Sequence, residues 1–142
     1  MNDLKTIIDD FEYLDDWEDR YRYVIEIGKA LPEMPEEERT DANKVRGCAS
    51  QVWLVAETAP GDPGDPVMIF RGESDAHIVR GLVAIVLAAT SGQKASAVES
   101  LDEVELMARL GLAEHLSTQR ANGLRSMVAR IKAHAAEARS AA

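Results

Sequence analysis

The residue best suited to chemistry in this chain of 142 residues is Cys48, its one cysteine. It lies in the segment Asn43-Lys44-Val45-Arg46-Gly47-Cys48-Ala49-Ser50-Gln51-Val52-Trp53. The thiolate is the nucleophilic form of cysteine, and a nearby positive charge favours it. Lys44 and Arg46 are such neighbours in an otherwise acidic protein. Gly47, directly before the cysteine, permits unusual backbone angles and close approach by a partner. Ser50 and Gln51 flank it on the other side and can hydrogen-bond the thiolate or support the loop. This pattern fits a reactive, loop-borne thiol. It also fits a small buried hydrophobe, the usual state of free cysteine. Spacing alone leaves both readings open.

The other chemistry-bearing residues are sparser. His77, His115 and His134 are scattered, with no His-x-x-His spacing and no carboxylate–histidine pair, so no metal site is expected. One cysteine makes neither an internal disulfide nor a multi-thiolate metal site. Asp9, Asp10, Glu12, Asp15, Asp16, Glu18 and Asp19 read as a solvated helix surface. Asp75 precedes an apolar helix and reads as its cap or first-turn acid. Arg120 falls in the first turn of the last helix, where the helix dipole disfavours a cation, and that hints at an interaction role.

These side chains must be positioned by the elements around them. Leu4, Ile7, Ile8, Phe11 and Leu14 recur at helical spacing, with Asp3 as cap. Asp15 or Asp16 starts a second helix through Trp17, Tyr21, Val24, Ile25 and Gly28, which ends before Pro32. Pro35 to Arg39 makes at most a helical turn. Residues 40–50 form a loop, or a short strand followed by a loop. Gln51–Thr58 and Val67–Phe70 read as an antiparallel hairpin around the turn Pro60-Gly61-Asp62-Pro63-Gly64-Asp65-Pro66. Val45 and its neighbours offer a third strand. Ser74 or Asp75 caps a helix over 76–89 that is apolar almost all round, and therefore central to the core. Residues 96–116 give one or two short helices. The last helix starts at Ser117 or Thr118, with Leu124, Met127, Val128 and Ile131 inward and Arg120, Arg125, Arg130 and Lys132 in water. Trp17 and Trp53 read as core. The sum is an α+β fold, a small antiparallel sheet of about three strands packed against several helices, in one domain over residues 1–142.

Composition narrows the function. Hydrophobic residues make up 46% and charged residues 29%, a balance that excludes disorder. The net charge of −9 argues against nucleic acid and anionic membrane as partners, since both need a basic surface. The longest apolar run, Leu82 to Ala89, is too short to span a bilayer. The acidic start Met1-Asn2-Asp3 lacks the features of a signal peptide. A cytoplasmic location is expected.

The segment Val45-Arg46-Gly47-Cys48-Ala49-Ser50-Gln51-Val52-Trp53 resembles the signature of the SufE family, which includes the relative CsdE. Three further blocks carry the likeness, in family order. Residues 17–32, from Trp17 to Pro32, resemble the family's second helix. Residues 72–82, from Gly72 to Leu82, resemble the approach to its central helix. Residues 112–124, from Leu112 to Leu124, resemble its C-terminal motif. The departures, a Pro/Gly-rich turn at 59–66 and an alanine-rich tail after Lys132, leave these blocks untouched. The resemblance implies the SufE/IscU kind of α+β fold. It implies a sulfur acceptor that is not itself an enzyme and holds no cofactor. Cys48 would take persulfide sulfur from a SufS-like or CsdA-like cysteine desulfurase, whose pyridoxal phosphate does the carbon chemistry. Sulfur would then pass to an iron–sulfur scaffold. Asp75 would neighbour the cysteine loop, and Arg120 would lie at the desulfurase interface, with Arg46, Gly47, Ser50 and Gln51 supporting loop or docking. A cluster scaffold needs several thiolates. A cysteine hydrolase needs a histidine paired with the thiol. A pure adaptor needs no thiol at all. The apolar helix is compatible with a homodimer.

Overall fold

Aspartates open three of the helices. The structure, a computed structural model, describes residues 3–141. Met1 and Asn2, most of the acidic start considered above, lie outside the described residues, as does Ala142. The Asp3 carboxylate accepts the Thr6 N–H at 2.8 Å and starts α1 (Leu4–Tyr13). Asp16 accepts the Glu18 N–H at 3.0 Å and starts α2 (Trp17–Lys29). A single 3-10 turn follows at Glu36–Glu38. The hairpin is β1 (Val52–Asp62) and β2 (Asp65–Ser74), then come α3 (His77–Thr90), β3 (Gln93–Lys94), α4 (Ala95–Glu99), α5 (Glu103–Arg109) and α6 (Thr118–Ala141). Asp102 caps α5 through the Glu105 N–H.

The sheet has the order β1-β2-β3 and is antiparallel throughout. The hairpin strands are longer than the sequence pattern indicates. Val52 pairs with Ser74 and Ala59 with Val67, the register shifts, and Asp62 pairs with Asp65. Most of the Pro/Gly/Asp stretch is thus strand, and the turn shrinks to Pro63-Gly64. Pro60 falls in the register shift between Ala59 and Asp62, where it has no ladder partner and its missing N–H costs no bond. The third strand is Gln93–Lys94, not the region of Val45. Residues 43–45 make only one bridge, Lys44 to Trp53, with Val45 N–H donating to Val52 O and Leu54 N–H to Asn43 O, both at 2.8 Å. The stretch stops there because Gly47 turns the chain away in a left-handed conformation, φ +87°.

Helix α3 is the centre of the core, with Ile78, Gly81, Leu82, Val83, Ala84, Ile85, Val86 and Leu87 all buried. It packs on α2 and on β2. Two glycines make the α2–α3 crossing close: a Cβ on Gly28 would stand 2.6 Å from Gly81 N, and one on Gly81 would collide with the Val24 carbonyl oxygen. Neither Ser74 nor Asp75 caps α3. The N-cap position is Ala76, with no side-chain bond, because Ser74 Oγ accepts the Ala76 N–H and Asp75 is engaged elsewhere.

A buried carboxylate ties this junction together. Glu73, 4% exposed, accepts hydrogen bonds from Arg80 Nε, Ser74 N–H at 3.0 Å and Met34 N–H at 3.3 Å. Arg80 also donates to Leu31 O at 3.1 Å. Burial pushes the Glu73 carboxyl upward, but the Arg80 bond and the two N–H groups outweigh it and hold the group below the usual carboxylate range. Trp53 is buried, with the Arg39 guanidinium over its ring, while Trp17 is half-buried and stacks on His115 at 4.1 Å. Among the described residues no helix is long and apolar enough to cross a membrane.

Candidate site around Cys48

Residues 46–51 loop out between the 43–45 stretch and β1, and the loop lies against α6. Gly47 is favoured there on two grounds. Its φ of +87° strains any other residue, and a Cβ built on it would stand 2.5 Å from Ser126 Oγ of α6. Cys48 is half-buried, and its Sγ–H donates to Gly123 O at 3.5 Å. Gly123, buried inside α6, faces the cysteine, and a Cβ there would sit in ordinary contact, 3.5 Å from Sγ.

Both ends of the loop are fastened. At the far end Asp75 accepts the Gln51 N–H at 3.0 Å and Gln51 Nε2 at 3.3 Å, while Asp75 N–H donates to Gln51 O at 3.3 Å. At the near end Arg130 of α6 donates to Ala42 O at 2.7 Å and to Lys44 O at 3.2 Å. Its Nε donates to His134 Nε2 at 3.2 Å.

Burial pushes the Cys48 thiol up from its ordinary value. This corrects the expectation that Lys44 and Arg46 favour the thiolate. Arg46 is exposed, so water screens its charge, and desolvation is what moves the thiol. A carbonyl oxygen can only accept, so the Gly123 contact also favours the protonated form.

A cavity of about 390 Å³ opens beside the cysteine. Its apolar wall is Val52, Val79, Leu82, Leu124 and Met127, and its polar rim includes Ser50, Ser117, Gln119 and Arg120. Of the residues singled out from sequence, the fold gathers Cys48, Ser50 and Arg120 around this cavity. Gln51 and Asp75 pair behind the loop, and Gly47 seats it on Ser126. Arg46 does not line the cavity, and His77 is exposed. Gly123, Ser126 and Arg130 were missed. Gly123 carries a signal, since glycine inside a helix costs about 1 kcal/mol relative to alanine and needs a packing reason. Arg130 is not on the wet side of α6 but half-buried, with its guanidinium on the loop stem. Among the described residues no group of His, Cys, Asp and Glu could hold a metal ion.

Residues 5–135 match the family described as SufE: Fe-S metabolism associated domain. The chain belongs to the SufE family. A SufE-like protein of Rhizobium meliloti is 65% identical over 135 residues, covering 95% of this chain and 96% of the relative. Another, of Rhizobium etli, is 66% identical over 135 residues, covering 95% and 90%. The solution structure of a hypothetical protein from Thermus thermophilus matches with a TM-score of 0.75 at 20% identity, covering 95% of this chain and 94% of that one. That likeness shows the shared α+β fold. Membership associates this SufE-family chain with Fe–S metabolism.

Proposed function

We propose that the chain is a sulfur acceptor and carrier. It takes sulfane sulfur onto Cys48 from a PLP-dependent, SufS-like or CsdA-like cysteine desulfurase, stimulates that enzyme, and passes sulfur on to an iron–sulfur scaffold. The observation that carries this reading is the placement of the one thiol on the wall of a cavity far larger than it needs at rest. At about 390 Å³ the space holds on the order of ten water-sized groups, ample for one more sulfur atom.

The chemistry follows from the site. At rest Cys48 is a protonated thiol bonded to the Gly123 carbonyl, sheltered from oxidants. To act it must leave that carbonyl, lose its proton to solvent or to the partner, and present a thiolate. The thiolate attacks the outer sulfur of the desulfurase persulfide. One S–S bond forms to Cys48, the S–S bond within the persulfide breaks, and the electron pair leaves on the desulfurase thiolate. Sulfane sulfur moves with no net oxidation, so no external oxidant is required. Docking supplies the loop opening, with the exposed Arg46 and Arg120 meeting acidic groups of the partner. When the loop reseats, the added sulfur turns toward the apolar wall of the cavity formed by Val52, Val79, Leu82, Leu124 and Met127.

Intact-mass spectrometry after incubation with a cysteine desulfurase, pyridoxal phosphate and L-cysteine tests this, beside Cys48→Ser. The expected result is a gain of about 32 Da on the wild type alone, as a thiolate acceptor requires. No added mass with either desulfurase type overturns it. Full stimulation of the desulfurase by Cys48→Ser would replace the carrier with an adaptor.

A further inference from the structure

Three residues of α6 meet the cysteine segment, and a fourth braces one of them. Gly123, Ser126, Arg130 and His134 follow at helical spacings of three or four residues and so share one face of the helix. The segment lies antiparallel to them. Gly123 meets Cys48, Ser126 meets Gly47, and Arg130 meets the carbonyls of Lys44 and Ala42. The inner edge of this stretch is bonded to β1 through Asn43 O and Val45 N–H. Its outer carbonyls, at 42 and 44, go to one guanidinium. His134 accepts from Arg130 Nε and fixes the plane of the fork.

We infer that Arg130 is a positioning residue for Cys48. Its fork binds the loop stem to α6, holds Sγ at the Gly123 carbonyl, and so sets how often the thiol is presented. The purpose of this device rests on the acceptor reading above; the geometry does not. Arg130 touches neither the cavity nor Sγ, so it acts through the backbone at Lys44. Freed from it, the 42–45 stretch keeps two backbone bonds to β1 and its buried Val45 side chain, but the stem loses its tie to α6, and the 46–48 segment beyond it, Gly47 and Cys48 included, lifts more easily. Three contacts in a row on one helix face make the movement one of the whole segment.

The test is the rate of Cys48 alkylation by iodoacetamide, followed by intact mass across pH, on the full chain. Wild type is compared with Arg130→Met, which keeps the aliphatic stem and removes the fork, and with Arg130→Lys. Thermal melting is recorded in parallel. Arg130→Met should alkylate about tenfold faster at neutral pH, the order set by one net hydrogen bond's worth of stem stability. Its pH midpoint should fall toward the ordinary thiol value, because the thiol spends less time buried against Gly123. Arg130→Lys should recover part of both, since one ammonium replaces one arm of the fork. A wild-type rate and midpoint in Arg130→Met overturn the inference. So does a lowered melting temperature with an unmoved midpoint, which is the mark of a merely structural arginine. If Arg130→Met does not fold, Arg130→Lys decides: about a threefold rise supports the inference, and no rise overturns it. Alkylation uses no desulfurase, so failure here leaves sulfur transfer standing, and failure of sulfur transfer leaves this result standing.

Discussion

Gly47→Ala puts the seating of the cysteine loop to a quantitative test. At φ +87° an alanine pays about 1–2 kcal/mol for the left-handed backbone. Its Cβ also arrives 2.5 Å from Ser126 Oγ, whereas Ser126 Cβ stays at an ordinary 3.4 Å. Turning the serine hydroxyl aside relieves that clash at about 0.5–1.5 kcal/mol of rotamer strain. The total is roughly 1.5–3.5 kcal/mol against the seated loop. An open loop is free of both terms, so the penalty moves the seated–open balance. At 1.4 kcal/mol per factor of ten, 2 kcal/mol corresponds to about a thirtyfold rise in open population. Alkylation of Cys48 by iodoacetamide, timed by intact mass, should accelerate by that order at neutral pH. Opening relieves the strain, so the melting temperature should fall by less than about 8 °C. Gly47→Ala/Ser126→Gly removes the clash and keeps the backbone strain, so it should recover the smaller share of the effect. A Gly47→Ala variant that alkylates at the wild-type rate would refute the reasoning, because the loop would then not be held by this contact.

Asp75→Ala removes both acceptors of Gln51 and should speed alkylation of Cys48 about five- to tenfold, near the net worth of one hydrogen bond; Asp75→Asn, which keeps one acceptor for the Gln51 N–H, should sit between it and wild type. Glu73→Gln strands Arg80 in the junction and should cost about 3–5 kcal/mol in urea unfolding, the range for breaking one half of a buried pair. The folded Glu73 carboxyl lies below its ordinary value of 4.5, so the unfolded chain binds the proton first as pH drops. Its contribution is therefore full at neutral pH and is lost as pH falls below about 4.5, and urea titrations of Glu73→Gln should lack that share of the acid slope.

The sequence was informative wherever local pattern decides. Helix spacing and aspartate caps placed α1 and α2, the near-uniform apolarity of residues 78–87 marked α3 as central, and two runs rich in β-branched and aromatic residues around a Pro/Gly turn marked the hairpin. Two local readings failed for tertiary reasons. The Pro/Gly/Asp turn is mostly strand, because Pro60 and Pro66 fall in the register shift, where neither has a ladder partner to lose. The third strand is Gln93–Lys94, only two residues long and too short for any periodicity to show.

What the sequence determined by itself is the lone thiol, its glycine, its loop and its family, since these depend on residue identity and order along the chain. The state of that thiol was decided only by the fold. Lys44 and Arg46 are neighbours in sequence, yet the group the thiol bonds is the Gly123 carbonyl, 75 residues on. Asp75 reads as a helix cap and serves Gln51 instead, and Arg130 reads as a surface charge and holds the loop stem. Charge acts over ångströms of space and burial is a property of the packed whole. A cationic neighbourhood in sequence therefore became a desolvated, protonated resting thiol beside a cavity.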